Sequence, residues 1–314
     1  MVPKILVIKL GALGDFIQAT GPFKAIRQHH RGAHITLLTT PAFVSLASDS
    51  SWFDEVWVDE RPSWYQAKNW LLLRRRMIKG SFTRIYDLQT SDRSGWYFRQ
   101  LPRNKRPEWS GVVRGCSHPH VNLKRNTMHT IDRQAEQLCV AGIKKSSEID
   151  VNWLRGDIGY MGLSKKIALL VPGGARKRRE KRWPQCYYAM LASKLMDVGL
   201  QVCLIGDESE RDLQRDIAAA ASGVVELAGE TTLGQVATLG RSSHIVVGND
   251  TGPMHILAAS GAPTVVLFGK ASNPVLCAPR GRNVTVVEAQ PHGLMKSLSV
   301  QSVWKAIEHS WSNV

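Results

Sequence analysis

The sequence predicts an α/β protein built from two parallel-sheet domains. Three observations carry this. Short apolar, β-branched runs alternate with helix-spaced segments through both halves of the chain. At 314 residues, the chain exceeds what one ordinary core holds. In each half the first apolar run ends in a glycine-containing turn, GALGD at 11–15 and PGGA at 172–175. Such turns at the carboxyl ends of strands are where open α/β sheets bind ligands. The linker is expected within the polar, aperiodic stretch 144–164.

In the first half, 4–10 (KILVIKL) reads as a strand and 16–30 as a helix interrupted at Gly21-Pro22. Strands follow at 34–39 (HITLLT), 55–59 (EVWVD) and 84–89 (RIYDLQ). Between the last two, 64–79 reads as an amphipathic basic helix. It sets Trp64, Tyr65, Trp70, Leu71 and Leu72 among Lys68, Arg74, Arg75, Arg76 and Lys79. Helices of this kind lie on membrane surfaces; a surface helix with one buried face is the competing reading. Residues 90–94 open the next helix. The segment 101–125 is loop-rich and basic, either a solvated surface or a rim for an acceptor, and 128–142 is a helix ending at Gly142.

The second half opens with strand 167–172 (IALLVP) and the cationic loop 176–182 (RKRREKR). Helices are expected at 183–198, 209–221 and 231–241, with strands at 201–206 and 223–228. Residues 244–269 then compress strand, polar turn, helix and strand into one unit. Its turn, 249–252 (NDTG), sits at a helix N-terminus, where free N–H groups and the dipole favour an anion such as phosphate. Asp250 or Thr251 acting only as a helix cap is the alternative. A last strand, 283–288, precedes a terminal helix, 297–311, with the apolar stripe Leu298, Val300, Val303, Ile307 and Trp311. No third domain remains to cover that stripe, so the helix is expected to pack back on the N-terminal domain.

The formal net charge of +15, from 41 Lys and Arg against 26 Asp and Glu, points to an anionic partner. Nucleic acid, an anionic membrane or a phosphorylated substrate would satisfy it; no recognisable nucleic-acid module appears, so no nucleic acid is expected. Cysteines 116, 139, 186, 203 and 277 form no CxxC pair, which argues against a zinc site or a disulfide framework and fits a reducing cytoplasm. No apolar run is long enough to span a bilayer, and the first residues alternate like a strand rather than a signal peptide.

The turn at 11–15 is G-x-x-G-D, not G-x-G-x-x-G, and no P-loop lysine follows. A carboxylate there would repel phosphate. Asp15 is therefore either a cap for the following helix or a base held at the mouth of a cleft.

Taken together, IKLGALGD followed by Pro22, DLQTSDRS, VPGGARKRREKRWP and GNDTGPMHILAAS resemble glycosyltransferase family 9, the bacterial heptosyltransferases of lipopolysaccharide core assembly and their relatives. The resemblance runs over almost the whole chain, with the stretches in family order. It implies a GT-B fold of two Rossmann-like domains, 1–155 binding the acceptor and 156–295 the nucleotide sugar, with helix 296–314 and a cleft between the domains. It implies inverting transfer without a metal or cofactor. The donor would be a nucleotide sugar, of which ADP-heptose is the best known. Asp15 matches the family's presumed general base. Lys181 matches the lysine that meets donor phosphate. Asp250, Thr251 and Gly252 match the turn that holds donor sugar and diphosphate, and Gly174 lies in the glycine turn on the same side. Glu208 is chosen over Asp207 for the ribose. His255 matches the family's histidine and is read as orienting the turn. Arg93 and Arg125 are the candidates for binding a glycan or lipid-linked anionic acceptor, with peripheral contact at the inner face of the cytoplasmic membrane. Two features depart from the pattern: the loop 176–182 is unusually basic, and 269–281 lacks the cysteine cluster of some lipopolysaccharide heptosyltransferases. A nucleotide-sugar epimerase of the same architecture, separable by product analysis without acceptor, and a non-catalytic nucleic-acid-binding protein are the alternatives.

Overall fold

The computed structural model divides into two compact units, Met1–Asp150 and Val151–Val314. It describes residues 2–63, 65–144, 148–175, 178–289 and 293–312. The first unit carries one parallel sheet of β1 (Lys4–Ile8), β2 (His34–Thr39), β3 (Glu55–Val58), β4 (Arg84–Asp87), β5 (Glu108–Gly111) and β6 (His118–Pro119). Its helices are α1 (Leu13–Gln18), α2 (Thr20–His29), α3 (Val44–Ser48), α4 (Ala67–Lys79), α5 (Asp92–Gln100) and α6 (Thr130–Val140). The second unit carries β7 (Ile167–Val171), β8 (Gln201–Gly206), β9 (Val225–Ala228), β10 (Ser243–Asn249), β11 (Thr264–Phe268) and β12 (Val284–Glu288). Its helices are α7 (Gln185–Asp197), α8 (Arg211–Ala220), α9 (Leu233–Ser242), α10 (Gly252–Ala259), α11 (Pro274–Cys277) and α12 (Val300–Ser312).

The strand orders are β3-β2-β1-β4-β5-β6 and β12-β11-β10-β7-β8-β9. Both follow one permutation, the doubly wound order, so the strand order reverses once in each all-parallel sheet, between β1 and β4 and between β7 and β10. In sheets of this order ligands bind in the crevice outside the carboxyl ends of such strand pairs. The continuous apolar runs explain the placement. All of β7 and all of β1 but Lys4 are buried, as strands covered on both faces must be.

Several expectations need correction. The helix after β1 starts at Leu13 and breaks at Ala19, not at Gly21-Pro22. Gly14 and Asp15 thus belong to the first turn of α1, and Pro22 to that of α2, where no N–H is needed. Of the basic helix expected at 64–79, Trp64 lies outside the described residues and α4 begins at Ala67. The basic segment after residue 101 holds β5 and β6, too short to show a period. The terminal helix does not leave its stripe for the N-terminal domain. Val300, Val303 and Ile307 of α12 are buried in the second unit's core with Leu170, Val265 and Leu267, against β11, β12 and α7. The indole of Trp183 donates to Leu298 O at 2.7 Å and ties down the approach to α12. The apolar flank of the second sheet is the partner that the sequence could not name.

Candidate functional site

In the first unit, β1 and β4 end side by side, Ile8 opposite Asp87. Gly11 turns the chain out of β1 with φ 117°, and a Cβ there would lie 2.6 Å from Phe43 Cε2. Only glycine fits both demands. Asp15 follows in the first turn of α1, where its Oδ2 accepts the Ala12 N–H at 3.2 Å. A carboxylate at that end also suits the helix dipole. Asp15 lines a cavity of about 230 Å³ together with Lys9, Thr90, Arg125, Arg133 and Gln134.

The charges in this cavity are coupled. Lys9 is buried and donates to Leu88 O at 3.3 Å. Burial lowers its ammonium pKa, while Asp15 and Asp87 pull the other way. Burial likewise lifts Asp87 to about 6, although the N–H groups of Gln89 and Thr90 donate to its Oδ1 at 3.1 and 2.8 Å. Arg125 donates to Thr90 Oγ1 at 2.8 Å, and Arg133 to Thr130 Oγ1 at 2.7 Å. Gln134 Oε1 is buried with no partner among the described residues. Lys9, Arg125, Arg133 and polar side chains therefore line the cavity with Asp15, and Asp87 lies buried behind it. Such a site can hold an anionic group while the carboxylate takes up a proton.

Arg125 thus shares a cavity with Asp15, but Arg93 does not line it. Arg93 lies over the Trp70 ring at 5.0 Å and donates to Pro62 O at 3.1 Å. It borders a separate apolar groove of about 650 Å³ between α4 and α5.

In the second unit, β7 and β10 pair with Val171 opposite Gly248. Asn249, fully buried at the end of β10, binds the two departing loops together. Its amide donates to Pro172 O at 2.8 Å and Gly173 O at 3.0 Å. Its oxygen accepts from the Trp183 N–H at 3.0 Å and the Tyr188 hydroxyl at 3.1 Å. Asp250 comes next, and its Oδ2 pairs with Lys181 Nζ at 2.6 Å. Thr251 occupies the N-cap position of α10, yet its side chain makes no capping hydrogen bond. Gly252 and Pro253 form the first turn, and His255 is buried behind them.

The turn after β7 is organised by a residue that the sequence reading passed over. Glu210 is buried, and its Oε1 accepts the Gly174 N–H at 2.7 Å while Oε2 accepts that of Asp207 at 3.1 Å. Burial raises its pKa. A Cβ on Gly173 would fall 1.9 Å from Glu210 Oε1, so a side chain there would push that carboxylate out of its place. Arg182 donates to Gly174 O and lies 3.9 Å from the same carboxylate. Glu208, the residue expected at a ribose, is exposed and paired with Arg211 at 2.7 Å. The available signal for Glu210 was the D-x-x-E spacing 207–210, a capping box. For Asn249 it was a polar residue closing an apolar run. Of the basic loop, Arg176 and Lys177 lie outside the described residues; Lys181 and Arg182 turn inward, while Arg178 and Arg179 stay exposed.

Among the described residues, no group of His, Cys, Asp or Glu is placed to hold a metal ion, and no helix is long and apolar enough to cross a membrane.

Solved structures share the fold. A family 9 glycosyltransferase from Veillonella parvula superposes with a TM-score of 0.84 at 20% identity, covering 99% of this chain and 98% of that one. The ADP-heptose lipopolysaccharide heptosyltransferase II of Escherichia coli superposes with a TM-score of 0.75 at 23% identity, covering 99% of both chains. In sequence, the chain is 39% identical to lipopolysaccharide heptosyltransferase 2 of E. coli K12 over 104 residues, which are 32% of this chain and 30% of that relative's length. The model of glycosyltransferase family 9 (heptosyltransferase) matches residues 70–307, spanning α4 to α12, and the chain belongs to that family.

Proposed function

We propose that the protein is an inverting glycosyltransferase that moves a heptose from ADP-heptose to an anionic, lipid-linked acceptor of the lipopolysaccharide-core type. The observation that carries this reading is Asp15 in a cavity with Lys9, Arg125 and Arg133, at the switch point of the first sheet. Phosphate binding alone would not select a carboxylate there, whereas deprotonating a hydroxyl on an anionic sugar needs both charges.

In the proposed reaction the acceptor oxygen attacks the anomeric carbon, the bond from that carbon to the diphosphate oxygen breaks, and Asp15 takes the hydroxyl proton. The leaving diphosphate gains the negative charge. Lys181, whose ammonium has donors beyond the one given to Asp250, and the amide end of α10 at Thr251 and Gly252 stabilise that charge in keeping with metal-independent transfer. The relatives named for ADP-heptose and for lipopolysaccharide support the choice of donor and acceptor. A lipid-linked acceptor in turn places the enzyme at the cytoplasmic membrane surface.

A panel of nucleotide sugars tests the donor by thermal stabilisation. The test of transfer is product analysis with a heptose-deficient core acceptor. Stabilisation and transfer with ADP-heptose, giving an inverted anomeric centre, are the expected results. Turnover of a nucleotide sugar to an epimer without acceptor would overturn the reading.

A further inference from the structure

The groove between α4 and α5 takes no part in the chemistry above. Its walls are Ala67, Trp70, Leu71 and Trp96, with Arg93 and Gln100 at the edge, around a volume of about 650 Å³. The apolar side chains there are open to solvent, Leu71 50% and Trp96 47% exposed, and the neighbouring Leu72 is 52% exposed. Exposed apolar patches of this kind mark interaction surfaces.

The charge around the groove identifies what it meets. α4 carries Lys68, Arg74, Arg75, Arg76 and Lys79 and no acidic residue. Helical spacing puts Lys68 and Arg75 one turn to either side of Leu71 and Leu72, on one face. Arg74 donates to Gln100 O at 2.9 Å, and Arg76 lies over Trp57 beside Glu55. Lys68, Arg75 and Lys79 make no ion pair among the described residues and stay exposed. Arg99, Arg103 and Lys105 extend the positive rim, exposed beyond the groove. A second copy of this chain would set like charges against one another there. A sheet of anionic headgroups above hydrocarbon satisfies both components at once.

We propose that the α4–α5 face docks on an anionic bilayer, with Leu71, Leu72 and Trp96 below the headgroups and a lipid acyl chain lying in the groove. The inference rests on the lipid-linked acceptor proposed above and adds the surface that brings the enzyme to it.

The test is co-sedimentation of the full chain with mixed phosphatidylcholine–phosphatidylglycerol vesicles and with pure phosphatidylcholine vesicles, without donor, combined with hydrogen exchange of the bound protein. Binding to the mixed vesicles alone is expected, with protection confined to residues 65–79 and 92–105. Leu71→Gln/Trp96→Gln should partition at least about tenfold more weakly, since each exposed apolar group contributes that order on burial. The melting temperature of the double variant, expected to match wild type because both side chains are half exposed, guards against a folding defect. Leu72→Gln, outside the groove, should weaken binding too, but less than the double variant. Equal binding of wild type and the double variant would overturn the proposal, because positive charge alone would then account for it. So would protection elsewhere, or a concentration-dependent dimer that buries this face. Transfer to a delipidated acceptor reads the catalytic proposal separately. Its success alongside failed vesicle binding would sink only the docking surface.

Discussion

Lys181 Nζ lies 2.6 Å from Asp250 Oδ2, with the two side chains 18% and 8% exposed. The pair ties the loop after β7 to the turn after β10, across the point where the second sheet reverses. Removing the ammonium would leave a nearly buried carboxylate uncompensated, at a cost of about 3 kcal/mol. It would also remove the charge-assisted contact to the donor that we propose for Lys181, worth roughly 1.5–3 kcal/mol. Lys181→Ala should therefore lose both stability and donor affinity. Lys181→Ala/Asp250→Asn should regain most of the stability in urea titrations and little of the affinity for ADP by calorimetry. Donor affinity unchanged in Lys181→Ala would remove this residue from the site.

Glu208 and Glu210 make opposite predictions. Glu210 satisfies two backbone N–H groups in a buried turn, and deleting its side chain strands them. Glu210→Ala should cost roughly 1–3 kcal/mol or more. Glu208 is exposed and bonded to Arg211, so Glu208→Ala should leave the urea midpoint nearly unchanged. Urea midpoints for the two variants decide this. Equal losses would contradict the burial assigned to Glu210.

Asp87 gives the first unit a pH dependence of known sign. Burial raises it from an ordinary 3.8 to about 6, so between those values the folded state holds a proton that the unfolded chain has released. Stability contributed by this group is present at low pH and lost as pH rises through that window. The shift corresponds to about 3 kcal/mol. Asn at this position can still accept the Gln89 and Thr90 N–H groups and does not titrate. The stability of wild type relative to Asp87→Asn should fall by up to about 3 kcal/mol from pH 4 to pH 7, measured by urea unfolding. A flat difference would show that Lys9 neutralises Asp87 throughout.

Much of the architecture was legible because parallel strands buried on both faces read as unbroken apolar runs. KILVI, IALLV and HIVVG are each too apolar for anything else at that length. The polar turns that interrupt them mark the carboxyl ends. What stayed hidden depends on contacts far apart in sequence. The burial of α12 against β11, β12 and α7, the Lys181–Asp250 pair across 69 residues, and the Glu210–Gly174 bond across 36 leave no periodic trace. Arg93, in the segment that opens α5, and Arg125, in the basic stretch after it, looked alike as partners for an anionic acceptor. Packing on Trp70 sends one to the apolar groove, and Thr90 holds the other in the cavity of Asp15.

Asp15 distinguishes a structural role from a chemical one most sharply. Its carboxylate accepts the Ala12 N–H at 3.2 Å, and an amide oxygen at the same place accepts it equally well. Asp15→Asn gives up the charge at the helix N-terminus, about 0.3–1 kcal/mol, and the attraction of the carboxylate for Lys9. Folding and donor affinity should therefore be nearly unchanged. A general base contributes roughly 10²–10⁴ in rate, and an amide does not take up the proton. Turnover of Asp15→Asn should fall by that factor in single-turnover experiments, where chemistry is isolated from product release. Asp92, beyond Asp87 on the same side of the sheet, is exposed at the start of α5 and does not line the cavity. It is poorly placed to substitute. If Asp15→Asn keeps most of its single-turnover rate, the hydrogen bond to Ala12 is the whole role of this residue.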